Sequence, residues 1–211
     1  IFKILKAIHS IAFEEASRLN TIEDYQRFIN KYPSAKQVPQ AKNTRNQLGF
    51  DKAKLENTVA SYQNFIQNFP DAAQVKKAVE LRDEKGFEKA KLENTVSSYQ
   101  NFIENFPDAT QFKKALELRD NKAFEEATSL NTIEAFNDFL YKYPSSFLKN
   151  KAKEKIEVFE YNNAKTTNSS EAFLSFLNKW PKSKFYDSAY SAFEEMQYKE
   201  NTADKTTDNY K

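Results

Sequence analysis

Apolar and polar residues alternate along this chain with a helical beat, and the beat itself repeats. Over residues 58–70 the apolar positions are Val59, Tyr62, Phe65, Ile66 and Phe69. At 3.6 residues per turn these form one stripe down one helix. The stripe returns every 37 residues, and five of the six prolines mark it: Pro33, Pro70, Pro107, Pro144 and Pro181. Five places before each proline stands a phenylalanine: Phe28, Phe65, Phe102, Phe139 and Phe176. One place before stands an aromatic ring: Tyr32, Phe69, Phe106, Tyr143 or Trp180. Eight places after stands an alanine: Ala41, Ala78, Ala115, Ala152 and Ala189. Thirteen before stands an asparagine: Asn20, Asn57, Asn94, Asn131 and Asn168. A period of this length is the signature of a repeat architecture.

Each unit predicts two helices. Short ones are expected near 21–32, 58–69, 95–106, 132–143 and 169–180, with longer ones between them. An Asn-Thr pair such as Asn57-Thr58 opens the short helix. The asparagine tolerates the left-handed conformation that closes the helix before it, and the threonine caps the helix after it. Proline ends the short helix by pushing the preceding residue out of the helical region. Asp71, with its counterparts Ser34, Asp108 and Ser145, is expected to cap the long helix. Gly49 and Gly86 are expected to mark a bend in it, at a cost of about 1 kcal/mol relative to alanine.

One such hairpin cannot bury its stripe alone, whereas stacked neighbours bury a continuous core. The expected fold is therefore all-α, a single solenoid of stacked 37-residue helical hairpins over 1–211, with partial units at 1–12 and 198–211. Phe13 is in register with Phe50, Phe87 and Phe124, so residues 1–12 take the place of a long helix whose short partner is missing. Ile1, Ile4 and Ile8 fall where Val75, Ala78 and Arg82 fall in a full unit. At the other end Thr206 and Tyr210 match Thr58 and Tyr62. Together these predict an excerpt of a longer array, with apolar ends that fray or self-associate. Residues 50–86 and 87–123 differ at 8 of 37 positions, a duplication that suits a role in length or surface.

Composition narrows the chemistry. The 211 residues carry 32 Lys and Arg against 30 Asp and Glu, no cysteine, one histidine and two glycines. Thiolate metal sites, disulfides, multi-histidine centres and glycine-rich phosphate loops are thereby excluded. No apolar run approaches the length that spans a bilayer. The 19 Phe and 11 Tyr are many for so hydrophilic a chain, and the stripe is where they go.

The pattern A-x20-Y-x2-F-I-x2-(Y/F)-P is carried by Ala78, Tyr99, Phe102, Ile103, Phe106 and Pro107. It resembles tetratricopeptide-type (TPR-like) repeats, closest in pattern to those of bacterial outer-membrane assembly lipoproteins and periplasmic cell-division coordinators. The chain departs from them where Ala53, Ala90, Ala127 and Ala164 replace the glycine between the paired helices, which moves the turn to the Asn-Thr pair. The resemblance implies a helical solenoid that binds a protein or peptide partner, with no catalysis and no cofactor. It places such a protein in the periplasm or at the outer membrane, with the cytoplasm as the alternative.

Few residues invite other chemistry. His9 lies in a helical apolar stretch, and Glu14-Glu15 and Glu194-Glu195 splay around their helices. Lys and Glu alternate without forming a cationic stripe, which argues against nucleic acid. The basic, amphipathic residues 1–12 suit a membrane surface less well than they suit the repeat register. Asn168-Ser169-Ser170 matches a glycosylation sequon. No catalytic, cofactor or metal residues are assigned. The most distinctive surface is a ladder of uncharged amides facing away from the stripe: Gln63, Asn64, Gln67 and Asn68, then Gln100, Asn101, Glu104 and Asn105. These are the candidate partner-binding residues, suited to an extended peptide backbone or a glycan. Two further functions stay open: a spacer or sensor segment of a larger polypeptide with its catalytic domain elsewhere, and a helical-repeat RNA binder.

Overall fold

The computed structural model describes residues 2–207, with side chains over 3–202. Ile1 and Tyr210 lie outside the described residues, and Thr206 is described in its backbone alone. Among the described residues all regular structure is helical, in eleven helices. The short ones are α2 (Ile22–Lys31), α4 (Val59–Asn68), α6 (Val96–Asn105), α8 (Ile133–Lys142) and α10 (Ser170–Lys179). The long ones are α1 (Phe2–Leu19), α3 (Val38–Glu56), α5 (Val75–Glu93), α7 (Phe112–Leu130), α9 (Lys149–Thr167) and α11 (Tyr186–Thr207). The bounds of the short helices recur at the 37-residue spacing of the prolines.

The helix boundaries are built from local chemistry. Asn20, Asn57, Asn94, Asn131 and Asn168 are left-handed, with φ between 50° and 52°, and are the positive-φ residues among those described. Each closes its helix, as where the Asn57 N–H donates to the Ala53 carbonyl at 2.9 Å. The next residue caps the short helix: Thr21, Thr58, Thr95, Thr132 and, in the fifth copy, Ser169. At Thr58 the cap is reciprocal. Its Oγ1 accepts from the Ser61 N–H at 3.0 Å, and the Ser61 Oγ accepts from the Thr58 N–H at 3.1 Å. Thr95 and Ser98 repeat this box, which satisfies two donors that a bare helix start leaves open. The stripe tyrosine then ties back to the asparagine: the Tyr62 hydroxyl donates to Asn57 Oδ1 at 3.1 Å, and Tyr99 to Asn94 at 3.0 Å.

One expectation is corrected. Asp71, Ser34, Asp108 and Ser145 do not cap the long helices, which begin four residues beyond them, at Val38, Val75, Phe112 and Lys149. Their first residues follow Gln37, Gln74 and Leu148, none of which makes a side-chain cap bond. The linker consists of consecutive turns closed by main chain, with the Ala72 N–H on the Phe69 carbonyl and the Val75 N–H on the Ala72 carbonyl, both at 3.0 Å. The long helix thus begins only after two main-chain turns, with Gln74 rather than Asp71 at its N-cap position. Gly49 and Gly86 lie inside α3 and α5, which run through them without interruption and with no positive φ. Their role is clearance. A Cβ on Gly49 would stand 2.5 Å from Phe69 Cε2, and one on Gly86 2.6 Å from Phe106 Cε2. The same register holds Glu160 in α9, whose carboxylate instead accepts from Trp180 Nε1 at 2.6 Å.

The chain divides into two compact units, Ile1–Leu116 and Glu117–Lys211. In the first, consecutive helices pack from α1 through α6. Its core is the buried stripe, Tyr25 and Phe28, Tyr62 and Phe65, Tyr99 and Phe102. The rings meet tilted, as Phe50 on Phe65 with centroids 5.3 Å apart. Ala41 and Ala78 are 0% exposed in α3 and α5, on which α2 and α4 pack. In the second unit α8 through α11 pack in sequence around Phe136, Phe139, Phe173 and Phe176, with Ala152 and Ala189 fully enclosed. Each buried ring contributes roughly 1.5–3 kcal/mol, so the stripe is the main source of stability.

Candidate functional site

The first unit carries two open grooves that correspond residue by residue. One, of about 430 Å³, lies among α2, α3 and α4; the other, of about 490 Å³, lies among α4, α5 and α6. The long helix supplies Lys52 and Glu56 to the first and Lys89 and Glu93 to the second. The short helix supplies Asn64 and Asn68 to the first, and Asn101 and Asn105 to the second. Gly49 with Phe69, and Gly86 with Phe106, also line them. Each pair of wall residues is four apart, so both members project from one helix face. The Lys89 Nζ and a Glu93 carboxylate oxygen are 4.0 Å apart, an exposed pair with little stabilising value of its own.

One end of the second groove is held by an arginine staple. Arg82 Nη1 donates to Gln63 Oε1 at 2.8 Å, while Nε and Nη2 donate to Asp83 Oδ1 at 2.8 and 2.7 Å. Its guanidinium carbon lies 5.3 Å from the centroid of Phe106. Asp83 is buried, so its charge requires the partner it has. The first groove repeats the device with Arg45, which donates to Gln26 and to Asn46 and lies 5.2 Å over Phe69. There a neutral amide replaces the carboxylate, and burial pulls the guanidinium below its ordinary pKa. In the second unit Arg119 pairs with Asp120 and lies 4.9 Å over Tyr143.

This geometry divides the amide ladder read from the sequence. Asn64, Asn68, Asn101 and Asn105 line the grooves. Gln63 also lines one, but its carbonyl oxygen is engaged by Arg82. Gln100 is half-buried and donates to Glu104 at 2.8 Å along the helix. Gln67 and Glu104 are exposed and stand outside both grooves. Asn105 turns its Nδ2 onto the Asn101 carbonyl at 2.8 Å. At the same two register positions α2 carries Arg27 and Lys31 and α10 carries Ser175 and Lys179, each lining a smaller groove. The amide character thus belongs to the two large grooves. Sequence reasoning missed the long-helix wall, although Lys52 and Glu56 recur as Lys89 and Glu93 at the period already in hand.

The other candidates resolve into structure. The His9 ring sits 5.2 Å from that of Tyr32. Glu195 pairs with Lys199 at 2.6 Å. Asn168 of the sequon is the left-handed cap of α9, and the Ser170 N–H and hydroxyl both donate to Glu200 of α11. Those bonds hold the Glu200 carboxyl below its ordinary pKa. No group of three or more His, Cys, Asp or Glu among the described residues is placed to hold a metal. No described helix is long and apolar enough to cross a membrane. Neither a family model nor a curated protein matches this chain. Chemically, the grooves present carboxamides that donate and accept, beside one charge of each sign. That set suits a main chain, which offers an N–H and a C=O at every residue.

Proposed function

We propose that the chain is a non-enzymatic α-solenoid scaffold of TPR-like repeats that holds an extended peptide segment of a protein partner along its amide-lined grooves. The observation that supports this reading is the correspondence of the two grooves, Asn64 and Asn68 with Lys52 and Glu56, Asn101 and Asn105 with Lys89 and Glu93. A periodic surface matches a periodic ligand. Packed helices lie roughly 8–10 Å apart, and an extended chain rises about 3.3 Å per residue, so each groove reads about three residues. Main-chain hydrogen bonding of this kind gives affinity with broad sequence tolerance. On the same reading the scaffold belongs to a bacterial envelope, with support from the repeat pattern described above.

The test is selection of binders from a displayed library of random extended peptides, followed by titration of the selected peptides. Changing Asn64, Asn68, Asn101 and Asn105 together to Ala is expected to weaken selected peptides at least tenfold. Each change is at an exposed side chain and should leave stability within about 0.5 kcal/mol. Backbone amide shifts should localise to α4 and α6. Selected peptides that bind the quadruple variant unchanged would refute the site.

A further inference from the structure

The fifth copy of the repeat has a groove of its own, between α9 and α10, built differently from those of the first unit. It holds about 260 Å³, against about 430 and 490 Å³. Glu160 lines it at the register of Gly49 and Gly86. Lys179 stands at the register of Asn68 and Asn105, and Ser175 at that of Asn64 and Asn101. The Glu160 carboxylate is engaged at both oxygens. Oε1 accepts from Lys179 Nζ at 2.5 Å, and Oε2 accepts from Trp180 Nε1 at 2.6 Å. Glu160 projects from α9 and Lys179 from α10, so the ion pair ties one wall of the groove to the other. In the second groove nothing corresponds to this tie. There Asn105 turns onto the Asn101 carbonyl of its own helix, and Gly86 has no side chain to meet it.

We propose that Glu160 is a specificity-determining residue, which shuts the fifth-copy groove to an extended main chain by strapping its two walls together. The inference rests on the peptide-binding reading of the first unit. Room rather than rim chemistry makes the difference. Asn163, Thr167 and Ser175 line this groove and can each donate to or accept from a main chain. Glu160 and its partners take the space between the walls. A peptide that entered would have to part the carboxylate from Lys179 and Trp180. The Glu160 side chain is only 19% exposed, so water replaces those two bonds poorly, and leaving a part-buried charge without its donors is costly. The fifth copy then contributes packing to the array and no reading of the ligand.

Peptides selected on the parent chain from the displayed library are the probe, titrated while backbone amide shifts are followed by NMR. In the parent, α4 and α6 should respond and α10 should not. Ser175→Asn with Lys179→Asn supplies the amides of the first unit but keeps Glu160, and α10 should stay silent. Adding Glu160→Gly should bring shifts in α10 of the size seen in α4. Glu160→Ala on the same background is the second variant, because alanine holds the helix better than glycine. An α10 that responds in the parent, or in the double variant that keeps Glu160, overturns the proposal. So does an α10 that stays silent in both triple variants while their circular dichroism matches the parent's. Silence in α4 and α6 as well is a different result, which overturns the peptide-binding reading itself.

Discussion

Replacing Asn94 by alanine isolates what the left-handed hinge contributes. Asn94 sits at φ 50°, ψ 44°, between α5 and α6. In this region any Cβ crowds the following carbonyl, at about 1–2 kcal/mol, and asparagine offsets that cost through local hydrogen bonds of its side chain, which alanine lacks. Alanine also loses the acceptor of the Tyr99 hydroxyl, a 3.0 Å bond of the kind worth about 0.5–1.5 kcal/mol net. The loss is therefore at most about 3.5 kcal/mol. Asn94→Gly separates the two terms, because glycine adopts the left-handed region freely and keeps only the hydrogen-bond loss. Tyr99→Phe removes the donor instead, so Tyr99→Phe added to Asn94→Gly should cost nothing further through this bond. Urea unfolding followed by far-ultraviolet circular dichroism gives the differences from the midpoints if the slopes agree. The expected order of stability is parent, then Asn94→Gly, then Asn94→Ala. If alanine and glycine prove equal, strain at the hinge is not what the asparagine relieves. If Tyr99→Phe and Asn94→Gly add in full, the hydrogen bond is not shared between them.

Phe102→Ala empties a buried site between α5 and α6, where the Phe102 ring meets Phe87 and Phe106 at centroid distances of 5.2 Å. It should cost about 3–5 kcal/mol by the same urea assay, and a loss below about 1 kcal/mol would show that the stripe is not the core. The bond between Ser170 and Glu200 should be lost in acid. Because the folded carboxyl lies below its ordinary value of 4.5, its contribution is complete above the unfolded pKa and disappears as pH falls through the folded one. Exchange protection of the Ser170 amide should therefore hold at pH 6 and fall on acidification below 4.5. In Glu200→Gln that step should vanish, and a pH profile identical to the parent would refute the assignment.

What the sequence by itself determined is the set of features made by neighbours along the chain. Asn57, Thr58 and Pro70 placed both ends of α4 to within a residue, because a left-handed cap, a side-chain cap and a proline stop act over no more than a turn. The stripe through Tyr62 and Phe65 named the core for the same reason, since 3.6-residue periodicity is local. Features that join distant residues were decided by tertiary structure. That Gly86 leaves the space of a side chain to Phe106, twenty residues on, shows only in the packing. Gln63 looked like a free amide until Arg82 came to lie within 2.8 Å. Asp71 looked like a cap, but two main-chain turns intervene and the helix starts four residues beyond it. The grooves themselves need residues from three successive helices. Sequence spacing sets the angle at which a side chain leaves its own helix; only the packing of helices on one another decides what it faces.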